Sequence, residues 1–294
     1  MNSSPSIELI LEAKASDIGG GFLVRRTLPS HRRRMVGPFI FFDHMGPLDF
    51  PPGESMNVLP HPHIGLATVT YLFEGEILHR DSVGSVQLIR PGDINWMVAG
   101  KGIVHSERSR PEIRQTGQRL HGIQLWVALP EESEDMEPDF FHHPAHTLPG
   151  RELSPGVEAR VLIGQAWDIQ SPVQTYSSMI YAEIRLASQT QWIMESEAEE
   201  QAVYIVSGSI SVDGESHKSG TMLVFKPGAS VHLSAPEFCT IMLLGGSSME
   251  KRKIYWNFVH SSADKIEEAK LRWQNRSFPE IEGETEFVPL PPQR

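Results

Sequence analysis

HPHIGLATVTYLFEG, residues 61–75, is an apolar run rich in β-branched and aromatic side chains that ends on glycine, the composition of a strand entering a tight turn. Two histidines, His61 and His63, stand two apart at its head, and in extended backbone residues two apart project from the same face. The spacing recurs at His105-Ser106-Glu107, just after a turn bounded by Gly100 and Gly102. Either pair alone arises often by accident. Their conjunction, at set distances from the turns at Gly75 and Pro91, predicts that neighbouring strands bring His61, His63, His105 and Glu107 to one point as metal ligands. Strict alternation puts His63, Gly65, Ala67, Val69 and Tyr71 on one face, with small side chains nearest the ion, and Ile103 on the face of His105 and Glu107.

Three imidazoles and a carboxylate suit a first-row transition ion, whereas calcium and magnesium prefer oxygen ligands. A closed structural zinc site usually contains thiolates, and the single cysteine, Cys239, lies far along the chain. Four protein ligands leave one or two open positions for water, oxygen or substrate. A divalent ion beside one carboxylate keeps a net charge of about +1, which favours an anionic substrate oxygen. Histidines titrate near pH ~6.5 when free, so metal affinity is expected to fall below that region.

Working outward, strand-like segments recur at Gly21–Arg25, Phe39–Phe42, Leu66–Phe73, Ser85–Ile89, Ile94–Val98, Gly122–Ala128, Ala159–Ile163, Met179–Leu186, Ala202–Val206, Thr221–Phe225 and Thr240–Leu244. Gly, Pro and Asp turns separate them, and 24 glycines and 22 prolines are scattered rather than clustered. The pattern is all-β. Stretches 45–60 and 109–118 read as loops. Near the C-terminus Ile266, Ala269 and Trp273 recur at helical spacing behind a capping Ser261 or Ser262. Tyr71–Gly75 is echoed by Tyr204–Gly208, and Arg90-Pro91-Gly92-Asp93 by Lys226-Pro227-Gly228-Ala229, which predicts a duplicated fold. The acidic run Glu131–Asp135 with Pro138 reads as the connection. The expected domains are therefore 1–134, with the metal ligands, and 135–294, with the helix and tail.

Hydrophobic residues make up 39% of the 294 and charged residues 21%, a globular balance. A net charge of −11 disfavours nucleic-acid contact, because the best candidate basic run, Arg25-Arg26 with Arg32-Arg33-Arg34, is short and broken. No stretch approaches the roughly 20 apolar residues of a spanning helix, so no membrane contact is expected. One cysteine excludes an intrachain disulfide and points to the cytoplasm, with Cys239 a buried strand residue. His142, His143 and His146 read as surface or packing residues.

HPHIGLATVTYLFEGEILHRDS (61–82), RPGDINWMVAGKGIVHSE (90–107) and HGIQLWVALP (121–130) together resemble the pirin family of the cupin superfamily. The resemblance begins at Phe41-Phe42-Asp43-His44 and runs through Trp256-Asn257-Phe258-Val259 to the helix beyond. It implies two tandem cupin (jelly-roll) β-barrels with a short C-terminal helix, the first holding metal and the second not. The family's ligands, two histidines of H-P-H and the histidine and glutamate of H-x-E, carry over to His61, His63, His105 and Glu107. Counted by the same offsets from Tyr204 and Pro227, the second half holds Met194, Ser196, Ile241 and Leu243 instead, with His232 a packing or turn residue.

The resemblance implies two functions. One is a quercetin 2,3-dioxygenase, which opens the central ring of a flavonol with O2 and releases carbon monoxide. There the flavonol hydroxyl would bind the ion and lose its proton, with Glu107 as the catalytic base as well as a ligand. Fe(II) is the expected ion, with Mn, Ni, Cu and Zn as the other first-row candidates. The other function is a non-enzymatic redox- or ligand-sensing regulator that binds a protein partner, a transcription factor or a metabolic enzyme. A monomer is the family-like expectation.

Overall fold

A computed structural model describes residues 6–18 and 22–292. Met179–Leu186, Ile94–Val98 and Thr221–Phe225 are strands with the expected ends. Others run longer than their apolar kernels: Leu66–Glu74, Gln118–Ala128, Val157–Ala166, Glu200–Ser207 and Cys239–Gly246. The strand expected at Gly21–Arg25 lies at Leu23–Leu28, and Gly21 falls outside the described residues. Much of the expected loop 45–60 is strand, because Phe39–Phe50 continues past its apolar start and Asn57–His63 begins before the histidines. The other expected loop contains a short helix, Pro111–Thr116.

Contacts group the chain into two compact units. One, the unit of the histidine motif, comprises Ser16–Val24, Asp43–Ala145 and Glu250–Arg294; the other comprises Met1–Ala15, Arg25–Phe42 and His146–Met249. A cut at 134/135 follows the order along the chain, but the C-terminal segment folds back onto the motif's unit. Phe258, Ile266, Ala269, Trp273, Phe278 and Ile281 are buried in one cluster with Ile64 and Val104, which flank the ligand pairs. Burying each large apolar side chain contributes ~1.5–3 kcal/mol, enough to hold such a segment in place. The helix Ala263–Gln274 buries Ile266, Ala269 and Trp273, as its spacing predicts.

The run Glu131–Asp135 is more than a solvated connection. It forms a short turn of 3-10 helix, Glu131–Ser133, and buries Glu134 against Arg252 of the returning segment, with Nε and Oε1 2.6 Å apart and side chains 3% and 1% exposed. Ser261 donates both its N–H and its hydroxyl to Glu134 instead of capping the helix, and Ser262 donates its N–H to His260 Nδ1.

Each unit has the same plan of a small sheet and a larger one. In the motif's unit the small sheet runs Asn57–His63, Ile103–Arg108, Ile77–Asp81, Val86–Ile89, and the larger includes, in order, Asp139–His143, Ile94–Val98, Leu66–Glu74 and Gln118–Ala128. In the other unit the small sheet runs Thr190–Met194, Val231–Ala235, Ser209–Val212, Glu215–Lys218. Its larger sheet begins Ile7–Glu12, Thr221–Phe225, Glu200–Ser207, Cys239–Gly246, Met179–Leu186. The repeated order is the expected duplication, and Ile7–Glu12, whose short apolar stretch carried no strand signal, pairs with Thr221–Phe225.

Within the second unit, Cys239 is fully buried and its thiol is pushed up to about 12 by burial, then by Glu237, so it stays protonated. Of the basic run, Arg33 is paired with Glu8 and Glu200, and Arg26 lies over the Phe41 ring. No helix among the described residues is long and apolar enough to cross a membrane.

Candidate metal centre

The strand Ile103–Arg108 lies between Asn57–His63 and Ile77–Asp81 in the small sheet, so the two ligand pairs are on adjacent strands. His105 stands directly opposite His61, and Glu107 directly opposite His79. The three expected histidines converge: ligand atoms of His61, His63 and His105 lie within 4.8 Å of one another. Glu107 joins through His105, in a second cluster with His79 of the same 4.8 Å span. His79 was missed in the sequence although the signal was present. His79-Arg80-Asp81 is a third pair spaced by two, on a strand that leads into the turn at Gly84.

Backbone carbonyls set the tautomers. His61 Nδ1 is 2.8 Å from Leu59 O and His63 Nδ1 is 3.2 Å from Asn257 O. A carbonyl only accepts, so each Nδ1 carries the proton and each Nε2 keeps a bare lone pair, the form that binds metal. His63 Nε2 lies 3.1 Å from His105 Nε2, and His105 Nδ1 is buried without a hydrogen-bond partner among the described residues. His79 Nε2 is 2.8 Å from Asp81 Oδ2, while Asp81 Oδ1 accepts the N–H groups of Val83 and Ser85, so this imidazole is rigidly held. Its ring stacks on Phe140 at 4.4 Å, and Trp126 packs edge-on against His63 at 5.1 Å.

The larger sheet closes the other side. Thr70 Oγ1 lies 3.0 Å from both Glu107 Oε1 and Gln124 Oε1, and its one proton serves either. The face of this strand that meets the site is thus Thr68 and Thr70, opposite to Ala67, Val69 and Tyr71 as strict alternation predicted. The cause is the corner at Ile64-Gly65. Ile64 bridges to Phe258, and Gly65 takes φ +67°, where a Cβ would overlap the Val259 carbonyl oxygen. The corner moves the chain from one sheet to the other and resets the alternation.

Burial dominates the electrostatics. It lowers His61 to about 4 and takes His63 and His105 well below the ordinary histidine range, with neighbouring imidazoles adding to the effect. It raises Glu107, although His79 and the Thr70 hydroxyl pull the other way. Three neutral imidazoles, two with their lone pairs aimed by carbonyl anchors, beside a buried carboxylate with no compensating cation among the described residues, fit a divalent transition ion.

The other unit's counterparts follow from strand register. Thr190–Met194 and Val231–Ala235 pair as Asn57–His63 and Ile103–Arg108 do, so the positions of His61, His63, His105 and Glu107 are held by Trp192, Met194, Leu233 and Ala235. By the pairing with Ser209–Val212, Ile210 and Val212 stand where His79 and Asp81 do. All of these belong to or pack against one apolar core. Ile241 and Leu243 lie one strand too late, because Pro91-Gly92 precedes the strand Ile94–Val98 whereas Pro227-Gly228 follows its counterpart Thr221–Phe225. His232 projects outward and is exposed.

The Pirin family profile matches residues 21–127, and that of the Pirin C-terminal cupin domain matches residues 181–279. A pirin-like protein of Caulobacter vibrioides is 48% identical over 291 residues, covering 97% of this chain and 99% of its own. The chain belongs to the pirin family. Among solved structures, a quercetin 2,3-dioxygenase from Acinetobacter baumannii superposes with a TM-score of 0.90 at 34% identity, covering 97% of this chain and 95% of its own. The Escherichia coli bacterial pirin YhhW, solved in complex with nickel(II), shares the fold at 17% identity with a TM-score of 0.65, covering 82% of this chain and 99% of its own. The two units are thus the tandem cupin domains of a pirin, and the His/Glu cluster is the candidate metal site of the first.

Proposed function

We propose that this pirin binds one divalent transition ion, Fe(II) in the first instance, through His61, His63, His105 and Glu107, and cleaves flavonols such as quercetin with O2, releasing carbon monoxide. The observation that carries the metal reading is the pair of bare Nε2 atoms on His61 and His63, fixed by the carbonyls of Leu59 and Asn257. The likeness to the Acinetobacter quercetin 2,3-dioxygenase supports the substrate class.

A divalent ion held by His61, His63, His105 and Glu107 would supply Lewis acidity toward the substrate oxygen and O2. The residues do the rest. Burial raises the Glu107 carboxyl in the metal-free protein, and beside its ligand role Glu107 would be the residue to take the proton of the flavonol hydroxyl. Thr70 hydrogen-bonds Glu107 Oε1 and limits the rotation of the carboxylate. Trp126 and Phe140 offer aromatic walls beside the imidazoles for a flat substrate.

The test is incubation of iron(II)-loaded protein with quercetin under air, following flavonol absorbance and trapped carbon monoxide. Loss of quercetin with stoichiometric carbon monoxide is expected. Neither signal with iron, manganese, nickel, copper or zinc would overturn the dioxygenase reading and leave the regulatory one.

A further inference from the structure

The strand Ile103–Arg108 shows its two faces to different parts of the chain. His105 and Glu107 face the site, while Val104, Ser106 and Arg108 alternate with them on the outer face. That outer face is covered by the C-terminal segment. Val104 packs with Phe258, Trp273 and Phe278. Ser106, fully buried, donates its hydroxyl to Glu284 Oε1 at 2.7 Å. Arg108 pairs with Glu284 at 2.5 Å and with Glu286 at 2.9 Å, and the Glu284 side chain is only 8% exposed.

A bulge falls at this point. Two steps from His105 to Glu107 match three from His61 to Val58, so the extra residue lies on Asn57–His63 and the ladder on that side is interrupted opposite Ser106. At a bulge the ladder alone does not fix where the next side chain aims. Toward Asn57–His63, then, Ser106 is held by its hydroxyl bond to Glu284 rather than by the ladder, while on the other edge it pairs in register with Arg80. The same segment reaches the other ligand strand, where the Asn257 carbonyl accepts from His63 Nδ1.

We propose that Glu284 is a positioning residue of the metal centre. By holding Ser106 and Arg108 from outside, it sets the placement of His105 and Glu107 inside, so that the C-terminal segment governs how tightly the ion is kept. The inference rests on the metal reading above. It predicts that loosening the outer contact speeds metal loss without removing a ligand.

The experiment loads the full-length protein with cobalt(II) and follows its d–d absorption during challenge with excess EDTA. Outer contacts of metal ligands typically govern affinity by about 10–100-fold, so Glu284→Ala and Ser106→Ala should release cobalt at least about tenfold faster, with an altered d–d band. Glu284→Gln, which keeps an acceptor for Ser106, should fall between these and the parent chain. Glu282→Ala, an exposed carboxylate of the same segment, controls for charge and should release at the parental rate. Parental rates and an unchanged band in both Glu284→Ala and Ser106→Ala would overturn the proposal, and Ser106→Ala decides it should Glu284→Ala fail to fold. A parent chain that takes up no cobalt(II) overturns the metal reading and this inference with it, a result distinct from equal release rates.

Discussion

Replacing Glu134 by alanine should be among the most destabilising single changes outside the apolar cores. Its carboxylate meets Arg252 Nε at 2.6 Å, the Ser261 hydroxyl at 2.6 Å and the Ser261 N–H at 2.9 Å. Removing one partner of such a pair strands a buried charge, at ~3–5 kcal/mol. Arg252 would keep bonds to the carbonyls of Leu129 and Glu250, and Glu131 lies 4.0 Å away, so the lower end applies. About 3 kcal/mol is roughly a hundredfold in the unfolding equilibrium. Urea unfolding followed by tryptophan fluorescence measures it, since Trp126, Trp256 and Trp273 report on this unit. Glu134→Gln, which retains hydrogen bonding but not charge, should lose less. The double change Glu134→Met with Arg252→Met should recover much of the loss, because no charge is then left alone. A loss below about 1 kcal/mol for Glu134→Ala, or no recovery in the double variant, would refute the view that this pair anchors the returning segment.

Glu107→Ala should lower bound metal per chain in elemental analysis, and an unchanged stoichiometry would remove Glu107 from the ligand set. Since burial brings His61 to about 4 and also depresses His63 and His105, the neutral form that binds metal persists below the free histidine value. Metal content after dialysis should thus hold through the region near pH 6.5 and fall as the pH approaches about 4, which corrects the expectation from free histidines. In the metal-free protein the unfolded chain takes up protons that the folded rings refuse, so stability should decline between about pH 6.5 and about 4, measured by urea titration at several pH values. Gly65→Ala should destabilise by at least ~2 kcal/mol in the same unfolding assay, since φ +67° and the Val259 carbonyl both oppose a Cβ.

Much of this was legible in local pattern. Apolar runs between glycine and proline turns identified most strands, and spacing by two brought out His61, His63, His105 and Glu107, because side-chain alternation is a property of a single strand. The helix Ala263–Gln274 was equally plain from Ile266, Ala269 and Trp273. Where alternation crosses a corner it fails: Gly65 resets it, and Thr70 rather than Val69 meets Glu107. Counting from turns also fails where a turn sits one strand later in the second half, so Leu233 and Ala235, not Ile241 and Leu243, hold the positions of His105 and Glu107. The amino-acid sequence by itself determined that candidate metal-binding side chains would share a strand face in one half and that the other half lacks them. Which distant residues surround that face, His79, Thr70, Asn257 and Glu284, only the tertiary structure decided, because side chains tens to hundreds of residues apart meet through strand pairing and chain return, which no local periodicity encodes.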